Sequence, residues 1–193
     1  MTTANKISIT RVLLVPFFVV QVLYYVDAGV EYHRFLAVLC FAIAAITDSV
    51  DGYIARRYNQ RSELGAVLDP LADKLLLVSA VVLLSLNNAP HLPRLPLWLT
   101  GTIIGRDVLL TIGYFIIQQT CGKVTVRPVL IGKAATVLQM VCVLWGLLKW
   151  PEPWLSALAG GAAICTAISG IIYVIEGARQ LNASPSSAAS PRQ

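Results

Sequence analysis

An all-α, polytopic membrane bundle of six transmembrane helices is the fold this sequence predicts. Three observations carry it. The chain of 193 residues is 56% hydrophobic and only 13% charged, whereas a soluble domain carries about a quarter charged residues to coat its surface. Its apolar residues come in blocks near the roughly 20 residues that cross a hydrocarbon core about 30 Å thick. The blocks are continuously apolar, without the alternation of an outer-membrane barrel strand, so each must satisfy its backbone as a helix.

The blocks fall at Ser8–Ala28, Arg34–Ile54, Leu64–Leu86, Leu95–Gln118, Val129–Leu148 and Trp154–Ile175. The connections are short, which makes successive helices antiparallel neighbours in one domain over residues 1–180. The first block is long, has a modest basic start and lacks a small-x-small exit, so it reads as a span and not as a cleaved signal. The segment Leu181–Gln193 (LNASPSSAASPRQ) is rich in Ser, Ala and Pro and is expected to be a disordered tail.

A formal charge of +5 and a pI near 9.2 raise the question of nucleic acid. The distribution answers it. Lys6, Arg11, Arg56, Arg57, Arg61, Lys74, Lys123, Arg127, Lys133, Arg179 and Arg192 fall at one end of an alternating path, and only Arg34, Arg94 and Lys149 at the other. That asymmetry is the positive-inside pattern, and it places both termini at the cytoplasm of a cell inner membrane or its equivalent. No nucleic-acid partner is expected. Cys40, Cys121, Cys142 and Cys165 have no paired spacing and read as structural thiols.

The chemistry concentrates in the segment ITDSVDGYIARRYNQRSELGAVLDPLADKLL, Ile46–Leu76. On a helix, Asp48, Asp51, Gly52, Ala55 and Arg56 fall within an arc of about 140°. Gly65, Asp69 and Asp73 are spaced by four and also share a face. The polar turn Arg57–Glu63 reverses the chain, so the two faces meet at the cytoplasmic edge. Four carboxylates at a low-dielectric boundary must take up protons, pair with cations or hold metal. An all-oxygen set selects hard ions such as Mg²⁺ or Mn²⁺, and a pair of them suits phosphoryl transfer. Gly52, Ala55 and Gly65 leave room for a ligand, and Arg56 offers a fork donor to phosphate. Plainer readings exist for single residues: Asp69 before Pro70 is also a helix N-cap, and the glycines are also packing residues.

The string Asp48-x-x-Asp51-Gly52-x-x-Ala55-Arg56, eight residues, Gly65-x-x-x-Asp69-x-x-x-Asp73 resembles the signature of the CDP-alcohol phosphatidyltransferase family, with every position filled. The resemblance implies a six-helix membrane core, a CDP-linked lipid as donor and CMP as leaving group. It implies two divalent ions on Asp48, Asp51, Asp69 and Asp73, with Asp73 as general base. Gly52, Ala55, Arg56 and Gly65 then bind the CDP moiety, and a homodimer through membrane helices is expected.

NKISITRVLLVPFF (Asn5–Phe18), IIGRDVLL (Ile103–Leu110) and RPVLIGKAATVLQM (Arg127–Met140) resemble the branch that makes phosphatidylglycerophosphate and cardiolipin. CDP-diacylglycerol is the donor there. The acceptor is glycerol-3-phosphate, placed first here, or phosphatidylglycerol, which the Asp of GRDVLL favours. Both acceptors carry phosphate, so a basic pocket is expected, with Arg106, Arg127 and Lys133 as its residues. Positive-inside anchoring is the plain alternative for Arg127 and Lys133. Arg106 and Asp107 sit deep in the fourth span, where neither stays charged without a partner. A cation-coupled transporter would place carboxylates near the midplane with repeat symmetry, and a membrane prenyltransferase would carry two separate acidic motifs; neither pattern is present.

Overall fold

The computed structural model describes residues 3–58, 63–121 and 130–182, and side chains at 10–47, 72, 74–119 and 130–180. It is all-helical: α1 (Thr3–Ala28), α2 (Glu31–Tyr58), α3 (Glu63–Ser85), α4 (Leu97–Cys121), α5 (Leu130–Leu147) and α6 (Glu152–Asn182). α1, α4, α5 and α6 each contain a stretch long and apolar enough to cross a membrane. The last helix continues to Asn182, two residues past the expected end of the domain; the rest of the expected tail lies outside the described residues.

The chain divides into two compact units. The first holds residues 1–95 and 140–155, the second residues 96–139 and 156–193. In the first unit α1 packs on both α2 and α3, and α2 on α3. The inward stripe of α1 is Arg11, Phe18, Val22 and Tyr25, all at most 1% exposed. Leu13, Phe17, Val20 and Tyr24 form a second, exposed stripe. A helix apolar on both faces is stable only where its outer face also avoids water, which is the condition a bilayer supplies. Phe18 meets Phe41 of α2 with ring centroids 5.8 Å apart. Gly146 of α5 lets Leu84 of α3 approach its backbone. Cys40 and Cys142 are buried among these apolar side chains, as expected of structural thiols.

One end of this unit is closed by a polar clasp. α1 stops at Gly29, which takes φ +68°, a left-handed conformation that glycine adopts without steric cost. The His91 ring packs so close that a Cβ on Gly29 would lie 2.6 Å from its Cε1. α5 ends in a Schellman motif: the Lys149 N–H bonds the Gly146 carbonyl and the Trp150 N–H bonds the Trp145 carbonyl. Trp145 and Trp150 supply the apolar contact across it, 4.5 Å between centroids. Lys149 holds the left-handed position with φ 56°, at a cost of about 1 kcal/mol that a glycine would avoid. Its ammonium offsets that cost by reaching Glu31 Oε1 at 3.0 Å and lying 5.0 Å from the Tyr25 ring centroid. Tyr25 also donates to Glu31 at 3.1 Å, and Arg34 donates to both Glu31 and the Leu147 carbonyl. The end of α3 is capped by its own loop: Asn88 Nδ2 donates to the Leu83 carbonyl, the Leu95 N–H to Leu84 and Arg94 Nε to Ser85.

Lys149, Arg34 and Tyr25 hold the Glu31 carboxyl down from 4.5 to about 2, against a smaller opposing effect of desolvation. A depressed carboxylate stabilises the fold above its unfolded value and loses that contribution as pH falls through its folded value. The parent is therefore expected to be more stable than Glu31→Gln at pH 6, with the gap closing between about pH 4.5 and pH 2. Thermal unfolding in detergent at stepped pH reads this. Glu31 is half exposed, so solvent screening keeps the difference small.

Candidate functional site

The motif residues occupy consecutive helices of the first unit. Asp48, Asp51, Gly52, Ala55 and Arg56 lie on α2; Gly65, Asp69 and Asp73 lie on α3. Their side chains lie outside the described residues, but their helical positions are fixed by register. The buried stripe of α2 is Ala37, Cys40, Phe41 and Ala44. Asp48 stands four positions beyond Ala44 and Asp51 seven beyond it, so both continue that stripe. The buried stripe of α3 is Ala72, Leu76, Leu77, Ala80 and Leu84. Counting back from Leu76 and Ala80, position 73 is three and seven residues away, and position 69 is seven from Leu76. α2 and α3 pack on each other, and their connection is four residues, 59–62.

Arg11 is a residue that sequence reasoning placed among the boundary charges and the structure places in the core. It is 1% exposed on α1, the helix packed on both motif-bearing helices, and it is partnered there. A buried guanidinium persists only with acceptors around it. The signal was present in the sequence: Arg11 falls inside the apolar block that begins at Ser8 and not before it.

The second unit contains a separate basic feature. Arg106 of α4 and Asp107 pair with each other, Nη1 to Oδ1 at 2.9 Å, with side chains 16% and 17% exposed. The expectation that neither remains unpaired in the span therefore holds. The Arg106 stem passes Gly170 of α6 and its head passes Gly132 of α5, each at 3.4 Å from where a Cβ would stand. Its Cζ lies 6.0 Å from the centroid of Tyr173. Among the described residues Arg106 Nε is buried without an acceptor. Deeper in this unit Gln139 of α5 donates to Thr166 of α6 at 2.7 Å, both buried. Lys133 follows Gly132 by one residue, so it leaves α5 about 100° away from the Arg106 slot. It is exposed. Arg127, the third residue expected in the basic pocket, lies outside the described residues.

A family model described as CDP-alcohol phosphatidyltransferase matches residues 1–173. The chain is also 36% identical over 172 residues to a protein of Escherichia coli (strain K12) named CDP-diacylglycerol–glycerol-3-phosphate 3-phosphatidyltransferase, covering 87% of this chain and 90% of the relative. Proteins of the same name from Shigella flexneri serotype 5b (strain 8401) and Shigella sonnei (strain Ss046) match with the same identity and coverage. A match that takes in the acidic motif, the Arg106 slot and the buried Arg11 leaves one assignment: the chain is a transferase and belongs to the CDP-alcohol phosphatidyltransferase family.

Proposed function

We propose that this enzyme moves the phosphatidyl group of CDP-diacylglycerol to glycerol-3-phosphate and releases CMP. The observation that carries the reading is the near full-length similarity to proteins named for that reaction. It is supported by the complete acidic motif on α2 and α3.

Asp48, Asp51, Asp69 and Asp73 hold two divalent ions, Mg²⁺ or Mn²⁺. The donor set fits: it is all carboxylate oxygen, and its positions extend the buried stripes of two packed helices. Bound there, the ions neutralise charge on the phosphate oxygens of the donor. Gly52, Ala55 and Gly65 leave space for the CDP moiety, and Arg56 takes its phosphate oxygens. Asp73 accepts the proton of the acceptor hydroxyl as that oxygen bonds to the phosphatidyl phosphorus. The bond from this phosphorus to the CMP oxygen breaks, and CMP departs with the electron pair. Arg11 supplies a counter-charge beside the four carboxylates. Arg106 binds the acceptor phosphate through its Nε side, with Arg127 and Lys133 drawing the anion in.

All six helices span the bilayer in this reading, and the protein pairs as a homodimer through them. The acidic motif and both termini face the cytoplasm. The tryptophans support the alternation: Trp98 and Trp154 begin α4 and α6, Trp145 ends α5 and Trp150 follows it. All stand at or next to the ends of their helices, where indole rings anchor at an interface.

The test is CMP release by the purified protein with Mg²⁺ or Mn²⁺ and CDP-diacylglycerol, varying the acceptor. Release that depends on glycerol-3-phosphate is expected. Release with phosphatidylglycerol alone would replace this reading with a cardiolipin synthase, the alternative that Asp107 favours. No release with any acceptor would end both.

A further inference from the structure

We infer that Tyr173 is a positioning residue of the acceptor site, holding the Arg106 guanidinium so that its Nε side is kept for the incoming phosphate. This rests on the reading of Arg106 as the acceptor's cation. Arginine has a long stem with several rotatable bonds, so a single ion pair does not fix where its fork points. Here the stem is confined by α6, because Gly170 has no side chain where Arg106 Cγ passes. The head is confined by α5, where a Cβ on Gly132 would stand 3.4 Å from Nη2 and 3.5 Å from the Tyr173 hydroxyl oxygen. Asp107 takes Nη1 at 2.9 Å. The Tyr173 ring lies 6.0 Å from Cζ, within the range of a cation–π contact. Four restraints from three helices therefore act on one guanidinium, and none of them uses Nε, which is buried and has no acceptor among the described residues. A structural arginine would be expected to spend that donor on a carbonyl. Arg11, partnered through the rest of its guanidinium, also has a buried Nε without an acceptor among the described residues, so the spare donor does not mark a site alone. At Arg106 it stands beside Nη2 in a slot lined by Gly132 and Tyr173, and the Nε–Nη2 side is a fork that fits two oxygens of one phosphate.

The experiment compares Tyr173→Phe, Tyr173→Leu and Arg106→Gln in the full chain. CMP release is measured against glycerol-3-phosphate at saturating CDP-diacylglycerol, and the reverse. Tyr173→Leu removes the aromatic face and is expected to raise KM for glycerol-3-phosphate about threefold to thirtyfold, the range of a cation–π contact, with KM for CDP-diacylglycerol unchanged. Tyr173→Phe keeps the face and is expected to recover most of the KM for glycerol-3-phosphate that Tyr173→Leu loses. If Arg106→Gln raises KM for glycerol-3-phosphate and Tyr173→Leu does not, the positioning role is overturned and the acceptor reading stands. If neither changes it, the acceptor reading falls as well. A Tyr173→Leu variant that raises both KM values alike would show a merely structural role and overturn the inference. Should that variant not fold, Gly132→Val reads the same slot: its methyls displace Nη2, and the same selective rise in KM is expected, its absence counting against the inference.

Discussion

Replacing Asp73 with Asn is expected to lower CMP release about 100- to 10,000-fold, the range over which a positioned general base contributes. The substitution keeps the shape of the side chain and removes its capacity to accept a proton. It also removes one anionic oxygen from the set proposed to hold the divalent ions, which pushes the loss toward the upper end. By helical register position 73 falls on the stripe that runs through Leu76, Leu77, Ala80 and Leu84 of α3. The change is nearly isosteric, and the unfolding midpoint in detergent is therefore expected to stay close to the parent value. Full activity in Asp73→Asn would remove the general base from the mechanism. Loss of activity together with loss of fold would assign Asp73 to the scaffold.

The second large effect is expected at Arg11, and on stability. Truncation to Ala is expected to cost about 3–5 kcal/mol, the loss seen when one partner of a buried charged pair is removed. The side chain is 1% exposed in a helix packed on two others, and it is partnered in place. Truncation removes that interaction from within a packed helix interface. Arg11→Lys keeps the charge without the planar fork and is expected to recover only part of the loss. Thermal unfolding of the solubilised protein measures both. An Arg11→Ala variant as stable as its parent would show that the guanidinium is dispensable, and the counter-charge role proposed for it would fail with it.

Much of this architecture is written in local patterns. The apolar blocks predicted for the first, third and fifth spans end within a few residues of α1, α3 and α5, because a span is defined by a run of side chains and nothing distant needs to be known. The acidic motif is legible for a similar reason: its residues are spaced at helical intervals on two consecutive helices, so register alone puts them in line with the buried stripes of Ala44 and Ala80. The sequence by itself thus determined an all-helical membrane enzyme with its acidic motif on two consecutive helices.

Tertiary structure decided the rest. Glu31 and Lys149 form their ion pair across 118 residues of chain, and no periodicity in either segment announces the other. Lys149 holds a left-handed backbone position normally given to glycine, which makes sense only once Glu31 and Tyr25 are seen beside its ammonium. Gly132 and Gly170 read in isolation as small packing residues, yet what they admit is the Arg106 side chain from a third helix. Helix formation and membrane insertion depend on what each segment carries. Where a buried charge finds its partner depends on which faces of separate helices come within about 4 Å, and that is known only when they have packed.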